Sequence, residues 1–134
     1  MSAITVTAGD VRPLPGAIVR RFDAGGSISI GDAVYLATDG DVEKAIGTGD
    51  PMHKAIGVAV STPDGGTTIA SGEVVDVVMA GPVTGASSMT IGSYVYVSDT
   101  AGAWDTAVGT KDMQLGIAIS ATELFVRPQT IDFS

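Results

Sequence analysis

The chain has 134 residues, no cysteine, 7 Lys plus Arg against 15 Asp plus Glu, and a net charge of −8. Without cysteine it has no disulfide framework, thiolate metal site or cysteine nucleophile, and its acidic balance disfavours nucleic-acid binding. No apolar run approaches the roughly 20 residues of a membrane span, and the N-terminus lacks the pattern of a signal peptide. Eighteen glycines with many Val, Ile, Thr and Ala predict a single all-β domain.

The predicted elements begin with an extended N-terminal arm, residues 1–15. The arm ends in Arg12-Pro13-Leu14-Pro15, and two prolines separated by one residue give an extended backbone that pairs poorly with other strands. Residues 3–7 alternate in polarity and have high β propensity. The alternative for residues 3–7 is an ordinary edge strand of the core.

The β domain is predicted to span residues 16–128 and to hold about nine or ten short strands, bounded by glycine-rich and proline-containing turns. Pro82 and Pro128 are expected to stop the strands that precede them. A C-terminal tail, residues 129–134, is expected to form a second short arm or to fold back onto the core. The principal predicted strands are Ala17–Phe22, Ala33–Ala37, Ile56–Val60, Glu73–Met79, Tyr94–Ser98, Leu115–Ile119 and Glu123–Arg127.

The sequence contains an internal repeat, residues 29–61 and 90–120. Ile30-Gly31 and Val34-Tyr35 recur as Ile91-Gly92 and Val95-Tyr96 at an offset of 61. Short insertions and deletions then bring further Ala, Gly, Thr and Ser residues into register. Two related β units bury their apolar faces most readily in one shared core, so we expect a small barrel or sandwich built from a duplicated unit.

A catalytic constellation is not predicted. His53 is the only histidine and no Gly-x-Ser-x-Gly motif accompanies it, so we interpret it as an exposed loop residue. The pairs Glu73 with Asp76 and Asp99 with Asp105 offer two carboxylates each, as glycoside hydrolysis needs. Fifteen acidic residues in a small chain make such pairs unavoidable, so we expect that the protein is not an enzyme and needs no metal or cofactor.

Three further residues are candidates for a partner or oligomer interface. Trp104 lies near a predicted turn, where a large aromatic is either a core residue or a contact residue, and interfaces favour Trp and Arg. Arg20 and Arg21 form a basic pair in an acidic chain. For these two arginines a structural ion pair is the favoured interpretation and a partner site is the alternative.

The sequence resembles the head decoration proteins, or capsid cement proteins, of tailed phages. The resemblance rests on Gly31-Asp32-Ala33-Val34-Tyr35-Leu36, Lys44-Ala45, Ala55-Ile56-Gly57-Val58-Ala59 and Val77-Val78-Met79-Ala80-Gly81-Pro82-Val83, and extends over residues 16–126. It implies a β-barrel or β-tulip-like protein on the exterior of the virion, made in the host cytoplasm. Such a protein is usually a homotrimer that clamps neighbouring major capsid subunits after the head expands.

The resemblance also implies that an N-terminal arm adds a strand to a capsid subunit. The capsid-binding candidates are accordingly Ala3, Ile4, Thr5, Val6, Thr7, Arg12 and Leu14. The expected partners are the major capsid protein and further copies of the chain, with no nucleic acid, membrane or small-molecule substrate.

Two alternative functions remain at this point. One is a carbohydrate- or ligand-binding β module of a phage fibre or cell surface, with Tyr94, Tyr96 or Trp104 as a stacking platform. The other is a different small virion component, such as a tail-tube or head-tail joining protein, although the sequence shows no long stacking hairpin.

Overall fold

The computed structural model describes residues 3–49, 52–61 and 66–130. These residues form fourteen strands and one 3-10 turn, Ala8–Asp10. All the strand pairs are antiparallel, and the predicted all-β class is confirmed. The strands are β1 (Ala3–Val6), β2 (Arg12–Pro13), β3 (Ile18–Asp23), β4 (Ile28–Ser29), β5 (Ala33–Leu36), β6 (Val42–Lys44), β7 (Ala55–Ser61), β8 (Thr68–Ile69), β9 (Val74–Thr84), β10 (Ala86–Ser87), β11 (Tyr94–Val97), β12 (Trp104–Asp105), β13 (Met113–Ala118) and β14 (Glu123–Thr130).

One large sheet contains twelve of these strands. Its order is β10-β1-β12-β11-β13-β14-β9-β7-β5-β6, and both β2 and β3 pair with β9. The sheet curls into a half-barrel. Its buried side chains are mainly Val, Ile, Leu and Ala, the residues that pack well on a pleated surface. A separate two-stranded sheet is formed by β4 and β8.

The strand register reproduces the internal repeat. Val34 pairs with Gly57 and, at the matching positions of the second copy, Val95 pairs with Gly116. Each pairing contains a register shift directly after that valine, between β5 and β7 in one copy and between β11 and β13 in the other. The repeat seen in the sequence is therefore also a repeat of backbone geometry.

The long strand β9 belongs to both copies. Its residues 74–80 pair with β3 and β7, and its residues 81–84 pair with β14 and β2. We therefore define unit 1 as β3, β5, β6, β7 and residues 74–80, and unit 2 as residues 81–84, β11, β12, β13 and β14. Sharing one continuous strand joins the two units without a linker.

Two matching glycines are required by the pairing of these strands. A Cβ atom at Gly57 would lie 2.0 Å from the carbonyl oxygen of Val78, and one at Gly116 would lie 2.2 Å from that of Phe125. Cβ atoms do not approach an oxygen so closely. The backbones of β7 and β9, and of β13 and β14, can therefore lie this close only with glycine at these positions.

The predicted strand ends at Pro82 and Pro128 are wrong. Strand β9 continues to Thr84 and β14 continues to Thr130, so each strand passes through its proline. A proline removes only one donor from the ladder. The carbonyl of Pro82 still accepts a hydrogen bond from the N–H of Leu14 at 3.0 Å, so the pairing continues past the ring.

The expected extended N-terminal arm is wrong: residues 3–6 form a strand of the sheet, as the alternative proposed, but this strand lies between β10 and β12 and not at the edge. In β1, Ala3 pairs with Asp105 and Ile4 with Trp104, while the second half of the strand pairs with β10. β2 pairs with β9 in spite of Pro13. The alternating polarity of residues 3–7 suits a strand with one face on the core, and this outweighs the poor pairing expected of the proline segment. Of the predicted tail, residues 129 and 130 end β14, and residues 131–134 lie outside the described residues.

Candidate functional site

The predicted capsid-binding residues divide into a buried set and an exposed set. Ile4 and Val6 are partly buried and pack against the core, while Thr5, Thr7 and Arg12 face solvent. Leu14 is partly buried, and the side chain of Ala3 lies outside the described part of the chain. Only the exposed set is available for direct contact with a partner.

A groove of about 460 Å³ lies beside this exposed set. Thr7, Asp10 and Arg12 form one wall, and residues 84–87 and Thr122 form the rest. The groove combines one cation, one anion and several hydroxyl groups, which is a surface suited to hydrogen bonds with a polypeptide. The structure thus brings Thr7 and Arg12 of the predicted set together.

The two arginines of β3 have intramolecular partners. The Nε of Arg21 lies 3.0 Å from a carboxylate oxygen of Asp76, and this contact raises the pKa of Arg21 above its usual value. The guanidinium of Arg20 lies over the ring of Phe22, 5.8 Å from its centroid. The structural ion pair favoured by the sequence is therefore confirmed for Arg21, although both side chains remain exposed.

Trp104 is a core residue, so the assignment of its side chain to a surface contact is wrong. It is 0% exposed, and its indole N–H donates a 2.8 Å hydrogen bond to the carbonyl of Gly31. That bond ties unit 2 to the turn before the first strand of the unit 1 hairpin. Burial of Trp104 also removes it from the proposed stacking platform.

The outward face of unit 2 carries a row of large apolar side chains. Tyr94 pairs with Ile117, Ile117 pairs with Phe125, and Phe125 pairs with Pro82, so the four residues lie side by side across four strands. Tyr94 and Phe125 are exposed, and the other two are partly buried. Large apolar groups that share an exposed face are typical of an interaction surface.

A shallow pocket of about 260 Å³ continues this face. It is lined by Tyr94, Tyr96, Gln114, Arg127 and Gln129. Two tyrosines, two amides and a guanidinium provide ring faces and hydrogen-bond donors. The predicted proximity of the two tyrosines is confirmed. The other lining residues, Gln114, Arg127 and Gln129, were not predicted from the sequence, because only the register between the paired strands brings them together.

The candidate catalytic residues have structural roles. His53 is buried rather than exposed as predicted, and its Nδ1 lies 3.0 Å from the carbonyl oxygen of Gly49. Asp99 accepts two hydrogen bonds from Thr110, through its N–H and its hydroxyl. Asp105 is buried and accepts a hydrogen bond from Ala107 N–H.

The second carboxylate pair is also used within the fold. Glu73 accepts a 2.7 Å hydrogen bond from the N–H of Ala70, and Asp76 accepts bonds from Arg21 and from the hydroxyl of Ser61. In the part of the chain that the structure describes, no group of three or more His, Asp or Glu side chains could hold a metal ion.

Asp32 has a shifted pKa. Burial raises the pKa of Asp32 above its usual value, while the N–H of Ser29 and the ammonium of Lys44, 3.8 Å away, act in the opposite direction. The group lies between the two units, next to Gly102. Its contacts with Ser29, Lys44 and the Gly102 turn are structural, so we interpret it as part of the contact between the units.

The chain matches no protein-family model, and no curated protein shows significant similarity to it. Within the described ranges, the structure has no helix of the length and apolar character needed to span a membrane.

Proposed function

We propose that this protein is a structural component of a tailed-phage virion. It binds the outside of the expanded head and stabilises the contacts between major capsid subunits. The proposal combines the resemblance of residues 16–126 to head decoration proteins with an all-β fold built from two units. The trimeric state and the position on the exterior of the capsid belong to the same proposal.

The observation that carries the proposal is the exposed apolar face of unit 2. Tyr94, Ile119 and Phe125 are all exposed on this side of the sheet, although burying them would stabilise a free monomer by roughly 1.5–3 kcal/mol per side chain. The candidate catalytic carboxylates, by contrast, are engaged in bonds within the fold. A surface adapted to protein contact supports a binding and structural role over catalysis.

The mechanism is mechanical. Pressure from packaged DNA separates capsid subunits at their contacts, and a protein that bridges two subunits adds buried area that must be exposed before they part. Each bridge can be weak, because many bridges on one shell act together. The protein needs exposed contact surfaces for this role, and it needs no cofactor.

The N-terminal segment contributes exposed polar contacts to the shell in this proposal. Because β1 and β2 pair within the sheet, deletion of residues 2–14 would remove structural strands together with any contact. Substitution of exposed residues is therefore the better test. Arg12 is suitable, since it is exposed and lines the groove described above.

The test is co-sedimentation with expanded heads that lack the protein. The wild-type chain should saturate the heads at a fixed stoichiometry, and Arg12→Glu should bind at least about tenfold more weakly, a change of about 1.4 kcal/mol. Lys111→Glu, the same charge change at an exposed residue outside the groove, is the matched control and should bind normally. Failure of the wild-type chain to bind expanded heads of its own phage would overturn the proposal.

The pocket beside Tyr94 and Tyr96 supports a second candidate function, recognition of a carbohydrate or another small ligand. Stacking on exposed rings and hydrogen bonds from Arg127 and the two glutamines suit a polar ring such as a sugar. A glycan array tests this candidate directly. Binding that is lost in Tyr94→Ala would favour it, and absence of binding at millimolar glycan would exclude it.

A further inference from the structure

The two units match in backbone but differ in what covers their outward faces. The row Ala33, Val58 and Val78 of unit 1 corresponds in register to Tyr94, Ile117 and Phe125 of unit 2. All three residues of the unit 1 row are fully buried. The unit 2 row exposes its tyrosine and phenylalanine. The same position in the fold is therefore covered in one unit and uncovered in the other.

The turns that flank these rows differ more strongly. Ile30 is 5% exposed and its counterpart Ile91 is 71% exposed, while Val60 is 3% exposed and its counterpart Ile119 is 44% exposed. Residue type does not explain the difference, since aliphatic side chains occupy all four positions. The cause is the presence or absence of a cover.

In unit 1 the cover is an extended piece of chain. Strand β8 pairs with β4, placing Ile69 opposite Ile28, and the N–H of Ile30 donates to the carbonyl of Thr67 at 2.9 Å. Val6 and Val11 approach the adjacent turn, because a Cβ at Gly31 would lie 2.7 and 3.1 Å from their methyl groups. An apolar strand segment can thus cover the outward face of such a unit.

Unit 2 has no counterpart of this cover in the described residues. The connection from β13 to β14 consists of residues 119–122 and contains no strand, whereas the connection from β7 to β9 contains β8. A Cβ at Gly92, the counterpart of Gly31, would meet nothing within 4 Å. We call the exposed surface formed by Ile91, Tyr94, Ile117, Ile119 and Phe125 the bare face.

Unit 1, in turn, has a strand, β3, whose outer edge, within the described ranges, lacks the pairing found at the matching position of unit 2. β3 occupies the position that residues 81–84 occupy in unit 2, since Val19 pairs with Val78 as Pro82 pairs with Phe125. In unit 2 the outer edge of this position is paired with β2, whereas in the described residues β3 pairs only with β9. β3 also exposes two aliphatic side chains, Ile18 and Val19.

We propose that the bare face of one copy binds the edge strand β3 of a second copy, so that copies of this chain associate head to tail. The bare face lacks a cover, and β3 has an edge without a strand partner in the described residues and carries the exposed aliphatic side chains Ile18 and Val19. The contact is heterologous, joining two different surfaces, and it closes into a ring when the rotation between copies allows. It rests on the proposed function for the expectation that the assembly is a trimer, and it assigns the exposed apolar face of unit 2 to the contact between copies, which leaves the groove beside Arg12 for the capsid.

Charge favours β3 over other parts of the chain as the occupant. Two copies with a net charge of −8 each repel one another on average. β3 brings Arg20 to the contact, together with Arg21, whose charge is already paired with Asp76 of the same copy. Glu123 lies beside Ile119, whose N–H donates to its carbonyl at 3.0 Å, and supplies an opposite charge at the margin of the bare face.

Sedimentation velocity tests the proposal with the full chain alone. At about 100 μM the wild-type chain should sediment as an oligomer. Ile119→Asp in the bare face and Val19→Asp in β3 should each sediment as monomers, because a charge buried in an apolar contact weakens association by about 100-fold or more. Leu36→Asp, an equally exposed aliphatic position on β5, is the matched control and should sediment like the wild type.

Mixing the two monomeric variants distinguishes a head-to-tail contact from a symmetric one. Each variant retains one intact surface, so an equimolar mixture should form a one-to-one dimer and nothing larger. Ile91→Ser is a second, milder substitution in the bare face, and circular dichroism should show that every variant is folded. A monomeric wild-type chain, an oligomeric Ile119→Asp variant or a mixture that stays monomeric would each overturn the proposal.

The outcome is separable from that of the head-binding experiment. A wild-type monomer that still binds expanded heads would leave the head-binding role standing and reject both the self-association and the trimeric state. An oligomer with the predicted variant behaviour that fails to bind heads would support the head-to-tail contact and reject the proposed function.

Discussion

Replacing Gly57 or Gly116 by alanine should destabilise the protein to a similar extent. The added methyl group would lie 2.0 Å from the carbonyl oxygen of Val78 in the first case and 2.2 Å from that of Phe125 in the second. An ordinary contact needs at least 3.4 Å, so each pair of strands must separate by more than 1 Å or lose its local register. Overpacking of this kind costs roughly 1–3 kcal/mol and occasionally more, and we expect the upper end because the obstructing atom is backbone.

Thermal unfolding followed by circular dichroism measures the effect. A loss of about 3 kcal/mol corresponds to a fall in Tm of about 10 °C for a chain of this size. Gly9→Ala is the matched control, since a Cβ there meets nothing within 4 Å, and its Tm should change by at most about 2 °C. Gly57→Ala and Gly116→Ala variants that unfold at the wild-type temperature would refute the close approach of the strands, and a large difference between them would refute their equivalence.

Three further predictions concern the contacts between the units and their covers. Trp104→Phe should lower the stability by about 1–3 kcal/mol, because it leaves the buried carbonyl of Gly31 without its indole donor, and urea unfolding should show a lower midpoint with an unchanged m value. Gly31→Ala should destabilise more than Gly92→Ala, since both glycines have positive φ but only the first is approached by a side chain, that of Val6; equal losses in Tm would contradict the cover over unit 1. Asp32→Asn should become progressively more stable relative to the wild type as the pH rises from about 4. The raised pKa of Asp32 means that the folded state holds this proton more tightly than the unfolded state does, so the wild type loses stability when the proton dissociates. A stability difference between the two proteins that is independent of pH would contradict this sign.

The duplicated hairpins could be predicted from the sequence because their determinants are local. The spacing of Gly31 and Val34, repeated at Gly92 and Val95, specifies a turn and the inward face of the strand that follows. Both glycines adopt positive φ, as the turn requires. Local patterns of this kind were sufficient for the fold class and for the seven principal strands, although the described residues contain fourteen strands instead of the nine or ten expected.

The position of the N-terminal segment could not be predicted in this way, because its pairing is nonlocal. Ile4 pairs with Trp104, a contact across a hundred residues, and the segment containing Arg12 reaches the far end of β9. The sequence around Trp104 is as compatible with the surface as with the core, because the environment of this residue depends on that same nonlocal pairing. The strand ends predicted at the two prolines are wrong for a related reason, since one missing donor does not outweigh a register fixed by neighbouring strands.

The bare face could not be predicted from single residues, but a comparison of the two copies of the repeat indicates it. Ile91 and Ile119 have counterparts of the same aliphatic character in unit 1, and only the short connection after β13 indicates that their cover is missing. The exposure of these apolar residues is therefore significant because the equivalent residues in the other copy of the same fold are buried.

The most direct test of the proposed function measures the stability of the head. Expanded, DNA-filled heads that lack the protein should be heated with and without a saturating amount of the purified chain, and DNA release followed with an intercalating dye. We expect heads carrying the protein to release their DNA at a higher temperature, with a shift that grows with occupancy. Full occupancy without a change in the release temperature would contradict a stabilising role.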